Sequence, residues 1–215
     1  MSVNTYRFSI SWPRILPNGI GETNQMGIDY YNNLINELLA NGIAPAVTLY
    51  HWDLPEALDQ QGGWLNPDVA YWFVEYARIC FREFGDRVKL WITFNEPFIQ
   101  ARNGYGVGYN APGIKGPGIL EYQAGHNLIR SHAKAYRLYQ DEFVASQNGQ
   151  VGITLNMNWD EPVIYNDSSH VEASEIQAQF DVGWFANPIF INGKYPDIMR
   201  QKVKIIYFFL VQIFL

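Results

Sequence analysis

The chain has 215 residues, which is enough for one domain of ordinary size or for part of a larger one. Hydrophobic residues make up 48% of it and charged residues 17%, and this composition excludes a wholly disordered chain. The formal net charge is −6 without any basic cluster, which argues against nucleic acid as the main partner.

Strand and helix patterns alternate along the chain. Helical spacing or length predicts helices at 27–41, 67–84, 121–146 and 172–185, separated by a Gly- and Pro-rich loop at 103–118 and a polar loop at 160–169. Asp53 and Glu56 are interpreted as a capping box, and Asn66 as the N-cap of the helix that follows it. Alternating or apolar runs predict strands at 6–11, 44–50, 89–95 and 150–156.

Four strands, each followed by a helix, predict parallel pairing with right-handed crossovers. A doubly wound open sheet and part of a (β/α)₈ barrel both satisfy this pattern. No Gly-rich phosphate motif follows a strand, which disfavours a nucleotide-binding open sheet. A barrel is favoured because polar or aromatic residues gather just after the strands, where barrel enzymes carry their chemistry: Trp12, Arg14, His51, Trp52, Asn95, Glu96, Asn156 and Asn158.

Glu96 is the strongest catalytic candidate. It follows an apolar strand directly, and Pro97 cannot continue a sheet ladder, so the strand is expected to end there. A carboxyl group fixed at a strand end suits general acid–base catalysis. Asn95 beside it is able to donate a hydrogen bond to a substrate hydroxyl group. The alternative is a carboxylate that only pairs with a neighbouring arginine.

His51 and Trp52 follow the second predicted strand. An imidazole in this position suits a hydroxyl group, and an indole suits the face of a sugar ring. The alternative for His51 is a buried side chain bonded to the backbone. Arg7 lies in the first predicted strand between aromatic residues, where it is expected to need an anionic partner. Clustered Cys and His residues are absent from the sequence, so neither a metal nor a cofactor is predicted.

Two further side chains are predicted to be structural. His132 falls in line with the apolar residues of its helix and is expected to be packed and hydrogen-bonded. Cys80 lies on the apolar face of its helix, which favours a core position over a nucleophilic one.

Several segments together resemble the family 1 glycoside hydrolases, the β-glucosidase family. The segment around His51 and the one around Arg7 are specific to this family, whereas Asn-Glu-Pro also occurs in other barrel glycosidases. A different barrel glycosidase is therefore an alternative interpretation, which the two specific segments disfavour. The similar region runs from about Ser2 to about Lys202. The segments are Tyr6-Arg7-Phe8-Ser9-Ile10-Ser11-Trp12-Pro13-Arg14-Ile15, Tyr50-His51-Trp52-Asp53-Leu54-Pro55, Gly63-Trp64, Thr93-Phe94-Asn95-Glu96-Pro97, Ala124-Gly125-His126-Asn127-Leu128, Asn187-Pro188 and Gly193-Lys194-Tyr195-Pro196.

The resemblance implies a (β/α)₈ barrel, here with about strands 2 to 5 of eight, that hydrolyses β-glucosides or related β-glycosides with retention. It implies that Glu96 is the acid/base and that Arg7 orients the nucleophile carboxylate. It further implies a small-molecule substrate bound by His51, Asn95 and Asn156, with Trp52 nearby. No membrane partner is predicted, because the apolar run at 203–215 is shorter than a bilayer span requires.

The sequence also departs from the family pattern. It lacks the Thr-Glu-Asn-Gly type of segment that carries the nucleophile, and residues 203–215 form an atypical apolar tail. The expected organisation is therefore part of a barrel domain at 1–202 followed by that tail. The alternative to an active glycosidase is an inactive fragment or a sugar-binding pseudoenzyme. Neither localisation nor oligomeric state is predicted.

Overall fold

A computed structural model describes residues 3–203. This part of the chain divides into two compact units. The first unit comprises the residues up to Asn95 together with Arg130–Thr154, and the second comprises Glu96–Ile129 together with the residues from Leu155 onward. The apolar tail predicted at 203–215 lies outside the described residues except for Val203.

Four strands in the described part of the first unit form one parallel sheet. They are β1 (Thr5–Ser9), β2 (Ala44–Tyr50), β3 (Leu90–Asn95) and β4 (Gln150–Thr154). All four predicted strands are confirmed, and β2 has the predicted bounds. In the register, Phe8 lies opposite Val47, and Val47 lies opposite Trp91.

The strands lie side by side in chain order, β1-β2-β3-β4. Crossovers between parallel strands are right-handed, so adding each strand on the same side keeps all crossover helices on one face of the sheet. A doubly wound sheet would instead reverse its order at a switch point. The observed order therefore agrees with a barrel segment, as predicted.

Each predicted helix is found, with shifted ends, and the described residues also contain short helices that the sequence does not predict. In chain order the helices are α1 (Trp12–Ile15), α2 (Gln25–Ala40), α3 (Glu56–Asp59), α4 (Val69–Phe84), α5 (Pro97–Ala101), α6 (Leu120–Glu142), α7 (Val144–Gln147), α8 (Ser168–Ala178), α9 (Trp184–Ala186) and α10 (Asp197–Lys202), with a 3₁₀ turn at Gly63–Leu65 and π-helical turns at Arg102–Gly106, Gln179–Gly183 and Asn187–Ile191. No helix within residues 3–203 has the length and apolar character that crossing a membrane requires.

Both predicted N-caps in the first unit are wrong. Helix α3 begins only at Glu56, with Pro55 in the N-cap position and no side-chain cap. A residue that precedes proline is disfavoured in helical conformation, so the helix cannot include Leu54. Helix α4 begins two residues later than predicted, because the Asn66 Oδ1 accepts a hydrogen bond from the backbone N–H of Asp68 (2.9 Å) in a turn before the helix.

The second unit differs more from the sequence prediction. The loop predicted at 103–118 is shorter, because helical structure continues from α5 through the π-helical turn to Gly106. Helix α8 begins at Ser168, four residues early, because the Asp167 carboxylate accepts from the backbone N–H of Ser169 (2.9 Å) and caps it.

Aromatic rings fill the core of the first unit. Trp12 stacks on Tyr76 with ring centroids 4.9 Å apart, and Phe73 stacks on Phe94 at 4.4 Å. The indole N–H of Trp12 donates to the Gly19 carbonyl (2.9 Å), so this buried polar group is satisfied. The rings pack the helices α1 and α4 against the sheet and so hold the strand ends in place.

His132 and Cys80 are buried in the first unit, as predicted. The His132 Nδ1 is hydrogen-bonded to the Thr93 hydroxyl group (2.8 Å), and burial lowers the pKa of His132 to about 4. The Cys80 thiol is also fully buried. Both residues are therefore parts of the core.

One glycine of the family-like segments is explained by packing in the second unit. A Cβ atom on Gly125 would lie 2.4 Å from the Trp184 ring, a distance that real contacts do not show. Trp184 also contacts Tyr122, with ring centroids 4.9 Å apart. Beside them, His126 Nδ1 is hydrogen-bonded to the Tyr195 hydroxyl group (2.9 Å). This segment thus supports the packing of the second unit.

Candidate active site

Arg7 links three neighbouring strands of the sheet. Its Nε–H donates to the Thr48 hydroxyl oxygen (3.0 Å), and its Nη2 donates to the Asn95 amide oxygen (2.6 Å). The expected anionic partner is not among the residues that the structure describes, where both partners are neutral and no ion pair includes Arg7. Neutral partners suffice because the Arg7 side chain is exposed to water on the sheet edge.

The contact with Arg7 fixes the orientation of the Asn95 amide group. Arg7 has only donors, so it must face the amide oxygen and not the amide nitrogen. No hydrogen bond within residues 3–203 uses Asn95 Nδ2. The buried amide is thereby left with its N–H donors available for a ligand, which is what the sequence predicted for a group that binds a sugar hydroxyl.

Trp52 is held against the end of β3. Its indole N–H donates to the backbone carbonyl of Asn95 (2.8 Å), and its backbone has the left-handed φ of +77°. The neighbouring His51 ring lies edge-on to the indole, with ring centroids 5.1 Å apart. The His51 side chain is exposed, so the alternative of a buried, backbone-bonded histidine is wrong. The first unit therefore brings Arg7, Trp52 and Asn95 together, with His51 beside Trp52.

Glu96 is the first residue of the second unit and directly follows β3 in the chain. Its φ of +46° and ψ of +64° turn the backbone out of the strand. Its carbonyl accepts from the N–H of Ile99 (3.0 Å), which starts α5 with Pro97 as the first helical residue. A half-buried carboxyl group in left-handed backbone is uncommon, and such strain is concentrated at functional sites.

Asn156 lies two residues beyond the end of β4, in the second unit. Its amide oxygen Oδ1 is buried and has no hydrogen-bond partner among the described residues. A buried acceptor without a partner is costly in a folded protein unless water or a ligand satisfies it. This unsatisfied acceptor supports the predicted binding role of Asn156.

Sequence reasoning missed two residues near this site. Thr48 is a hydroxyl group within the apolar run of β2 and is 1% exposed, a signal that it has a specific partner. Asp53 is predicted to cap a helix, but burial raises the pKa of its carboxyl group, and its Oδ1 has no hydrogen-bond partner among the described residues.

The described residues contain no group of three or more His, Cys, Asp and Glu side chains that would hold a metal ion. The polar groups at the strand ends instead suit an uncharged, hydroxyl-rich ligand: amide donors, an imidazole and an indole face. The carboxyl group of Glu96, the residue after Asn95, supplies a proton donor and acceptor.

Known proteins with similar sequences indicate the family of this chain. The chain is 50% identical over 206 residues to lactase/phlorizin hydrolase of Rattus norvegicus, and the aligned region covers 95% of this chain and 11% of that protein. It is 45% identical over 204 residues to the cytosolic β-glucosidase of Cavia porcellus, covering 94% of this chain and 44% of that protein. The chain thus spans less than half the length of these relatives.

Solved structures give the same result. A rice β-glucosidase, Os3BGlu6, superposes with a TM-score of 0.90 at 48% sequence identity, covering 93% of this chain and 44% of that one. The four parallel strands with their helices are accordingly part of a (β/α)₈ barrel. The model of glycosyl hydrolase family 1 matches residues 1–210, and the chain belongs to that family.

Proposed function

We propose that this chain carries the proton-transfer side of a retaining β-glycosidase site, and that a protein containing it hydrolyses O-glycosyl bonds in β-glucosides or related β-glycosides. The observation that carries the proposal is the Asn95 amide, whose oxygen is bound by Arg7 at 2.6 Å while its N–H donors remain available. That donor pair immediately precedes the Glu96 carboxyl group in the chain, at the strand end where barrel enzymes carry their chemistry.

Each site residue has a role that its chemistry supports. Glu96 protonates the leaving glycosidic oxygen and then, as a carboxylate, activates the attacking water. His51 and Asn95 bind hydroxyl groups of the sugar, and Trp52 offers its ring face. Asn156 accepts a hydrogen bond from the substrate through its buried, unsatisfied oxygen.

Arg7 would orient the nucleophile carboxylate. Two of its five N–H groups are used by Thr48 and Asn95 in the described structure, which leaves donors for a carboxylate. An arginine fork binds a carboxylate through two parallel hydrogen bonds, which fixes the direction of attack. The family relationship supports this assignment, since retention requires a second carboxyl group about 5–5.5 Å from the acid/base.

Ligands of related proteins support a sugar as substrate. The β-glucosidase of Thermotoga maritima, 45% identical to this chain, has been solved in complex with deoxynojirimycin and with castanospermine. We therefore expect this chain to bind deoxynojirimycin through its hydroxyl-binding residues. Isothermal titration with the purified chain, with a His51→Ala variant beside it, measures that binding.

The sequence contains no Thr-Glu-Asn-Gly type of segment, so the proposed nucleophile does not come from these 215 residues. An added nucleophile tests Glu96 under these conditions. Azide attacks the anomeric carbon of p-nitrophenyl β-glucoside from the opposite face, the bond to the aryl oxygen breaks, and Glu96 gives its proton to that oxygen. The products are α-glucosyl azide and p-nitrophenol.

We expect azide-dependent release of p-nitrophenol by the chain and its loss in Glu96→Gln. Glu56→Gln is the matched control, because Glu56 is an exposed glutamate in a short helix of the same chain. Equal rates in the chain and in Glu96→Gln would overturn the role of Glu96. Binding of deoxynojirimycin without azide-dependent turnover would point to a sugar-binding pseudoenzyme.

A further inference from the structure

A cleft with a volume of about 400 Å³ lies within the second unit. This volume falls in the range of small-molecule sites, roughly 300–1,000 Å³. Its walls come from α8, from the two π-helical turns that follow α8 and from residues 192–198. The described residues that line it include none of the candidate active-site residues. The cleft therefore calls for an explanation of its own.

Two irregular helical turns place amide side chains at this cleft. Gln179 is the first residue of the π-helical turn Gln179–Gly183, and Asn187 is the first residue of the turn Asn187–Ile191. The backbone N–H of Asn192 closes the second turn by donating to the Asn187 carbonyl (3.2 Å). π-helical turns are rare and occur frequently at functional sites. The irregular backbone and the cleft coincide in this part of the second unit.

The cleft offers both hydrogen-bond donors and hydrogen-bond acceptors. The Asn192 Oδ1 accepts from the backbone N–H of Lys194 (3.0 Å), so the amide nitrogen of Asn192 is the group left for a ligand. No hydrogen bond among the described residues uses Asn192 Nδ2 or the side chain of Asn187. The Glu175 carboxylate is an acceptor, and one of its oxygens receives a hydrogen bond from Gln179 Nε2 (2.7 Å). Donors and acceptors thus lie along the same cleft.

Charge and hydrogen-bonding chemistry together select the class of ligand. The carboxylates of Glu175 and Asp197 line the cleft, and no Lys, Arg or His does so among the described residues. An anion only accepts hydrogen bonds and would face these negative charges. An amine only donates, so it would leave the amide N–H groups of Asn187 and Asn192 unmatched, and Arg200 already pairs with Asp197. A hydroxyl group donates and accepts, and it therefore matches both kinds of lining group.

The ring of Tyr195 adds an apolar surface to the cleft. Its hydroxyl group is hydrogen-bonded to His126 Nδ1 (2.9 Å), which holds the ring in place. A fixed aromatic ring beside polar groups suits a sugar, which has hydroxyl groups around an apolar ring face. We propose that this cleft is a second, non-catalytic binding site for an uncharged sugar, with Asn187 and Asn192 as hydroxyl ligands. The inference goes beyond the proposed function and does not depend on it.

Titration of the isotope-labelled chain with D-glucose, followed by NMR of the side-chain amide groups, tests this site. We expect saturable shifts of the Asn187 and Asn192 amide resonances, which Asn187→Ala and Asn192→Asp assign. Asn192→Asp keeps the oxygen that accepts from Lys194 but removes the amide donors. It is expected to raise the Kd read at Asn187 by about fivefold or more. Asn166→Ala, which removes an exposed amide of the same unit outside the cleft, should leave the Kd unchanged.

Putrescine and inorganic phosphate are the comparison probes for the two charged ligand classes. Saturation with glucose, together with weaker responses to both comparison probes, supports the proposal. It is overturned if glucose does not shift either amide, if Asn192→Asp leaves the Kd unchanged, or if putrescine or phosphate binds more tightly than glucose.

The Trp52 indole resonance, followed in the same titration, reports on the candidate active site separately. A glucose-dependent shift at Trp52 alone would overturn the second site and leave the proposed function standing. A shift at Asn187 and Asn192 alone would support the second site and count against sugar binding by the candidate active site.

Discussion

The two units differ in the exposure of their tryptophan and phenylalanine side chains. In the first unit the rings of Trp12, Phe73 and Phe94 are fully buried. In the second unit Trp159 is 75% exposed and Phe190 is 61% exposed. Every exposed tryptophan or phenylalanine among the described residues therefore lies in the second unit, where part of the apolar surface faces solvent.

This difference predicts where the stability of the chain resides. Removing a buried ring forfeits the transfer free energy of the side chain and leaves a cavity, whereas an exposed ring loses little when it is truncated. The sheet and its site residues in the first unit should therefore resist opening. The loops and short helices of the second unit should open at lower free energy.

The largest expected effect is that of Phe73→Ala. Phe73 is fully buried and stacks on Phe94, so the substitution should lower the free energy of unfolding by about 3–5 kcal/mol. Phe190→Ala is the matched control in the second unit and should change it by less than about 0.5 kcal/mol. Chemical denaturation of both variants measures the difference. Equal losses of unfolding free energy in the two variants would contradict the proposed difference in stability between the two units.

His132 offers a pH test of the same buried core. Its pKa is about 4 in the folded chain against 6.5 when exposed, because burial disfavours the charged ring. The unfolded chain therefore binds a proton first as the pH falls. Stability is complete above about pH 6.5 and is lost progressively down to about pH 4, by about 3 kcal/mol at 1.4 kcal/mol for each pKa unit.

The measurement is the free energy of unfolding from pH 8 to pH 4 for the parent chain and for His132→Asn. Asparagine retains a polar partner for the Thr93 hydroxyl group but does not titrate. The difference between the two curves should shrink below pH 6.5. A difference that stays constant across this range would show that the ring is not kept neutral by burial.

Thr48→Val examines the network that fixes Asn95. Valine has the same shape but cannot accept from Arg7 Nε, so we expect a loss of about 1.5 kcal/mol in unfolding free energy. Thr5→Val, at an exposed position of β1, is the control and should lie within about 0.5 kcal/mol of the parent. Equal effects of the two substitutions would indicate that the Arg7 contact contributes nothing to stability.

The sequence predicted the sheet well because its strands are apolar runs with clear ends. Strand β2 has the predicted bounds, 44–50, and β3 ends at Asn95, where Pro97 prevents a longer ladder. The same property located Glu96 at a strand end. Apolar runs, however, do not show which neighbour a polar side chain bonds, so the neutral partners of Arg7 required the structure.

Helix starts failed where two local patterns competed. Asp53 and Glu56 fit a capping box, but the restriction that Pro55 imposes on the residue before it moves the start of α3 to Glu56. In the second unit no residue of α8 is buried, so apolar spacing carried no information and the prediction started four residues late. The strained backbone of Trp52 and Glu96 has no sequence signal, since neither is a glycine.

Asp167→Ala gives the smallest expected effect and addresses the second unit alone. The Asp167 carboxylate accepts from the hydroxyl group of Ser169 and, capping α8, from its backbone N–H, and these hydrogen bonds lower the pKa of Asp167 below the usual value. We expect amide exchange in the first turns of α8 to rise by about fivefold in the variant at neutral pH. The effect should decline as the pH falls below about 4 and disappear only below the lowered pKa of Asp167, because the protonated carboxyl group no longer favours the capped state. Asp160→Ala, at another exposed position outside the helix, should leave these amides unchanged. Increased exchange in β2 and β3 as well would mean that α8 opens together with the sheet, and the two units would then not differ in stability as their aromatic cores indicate.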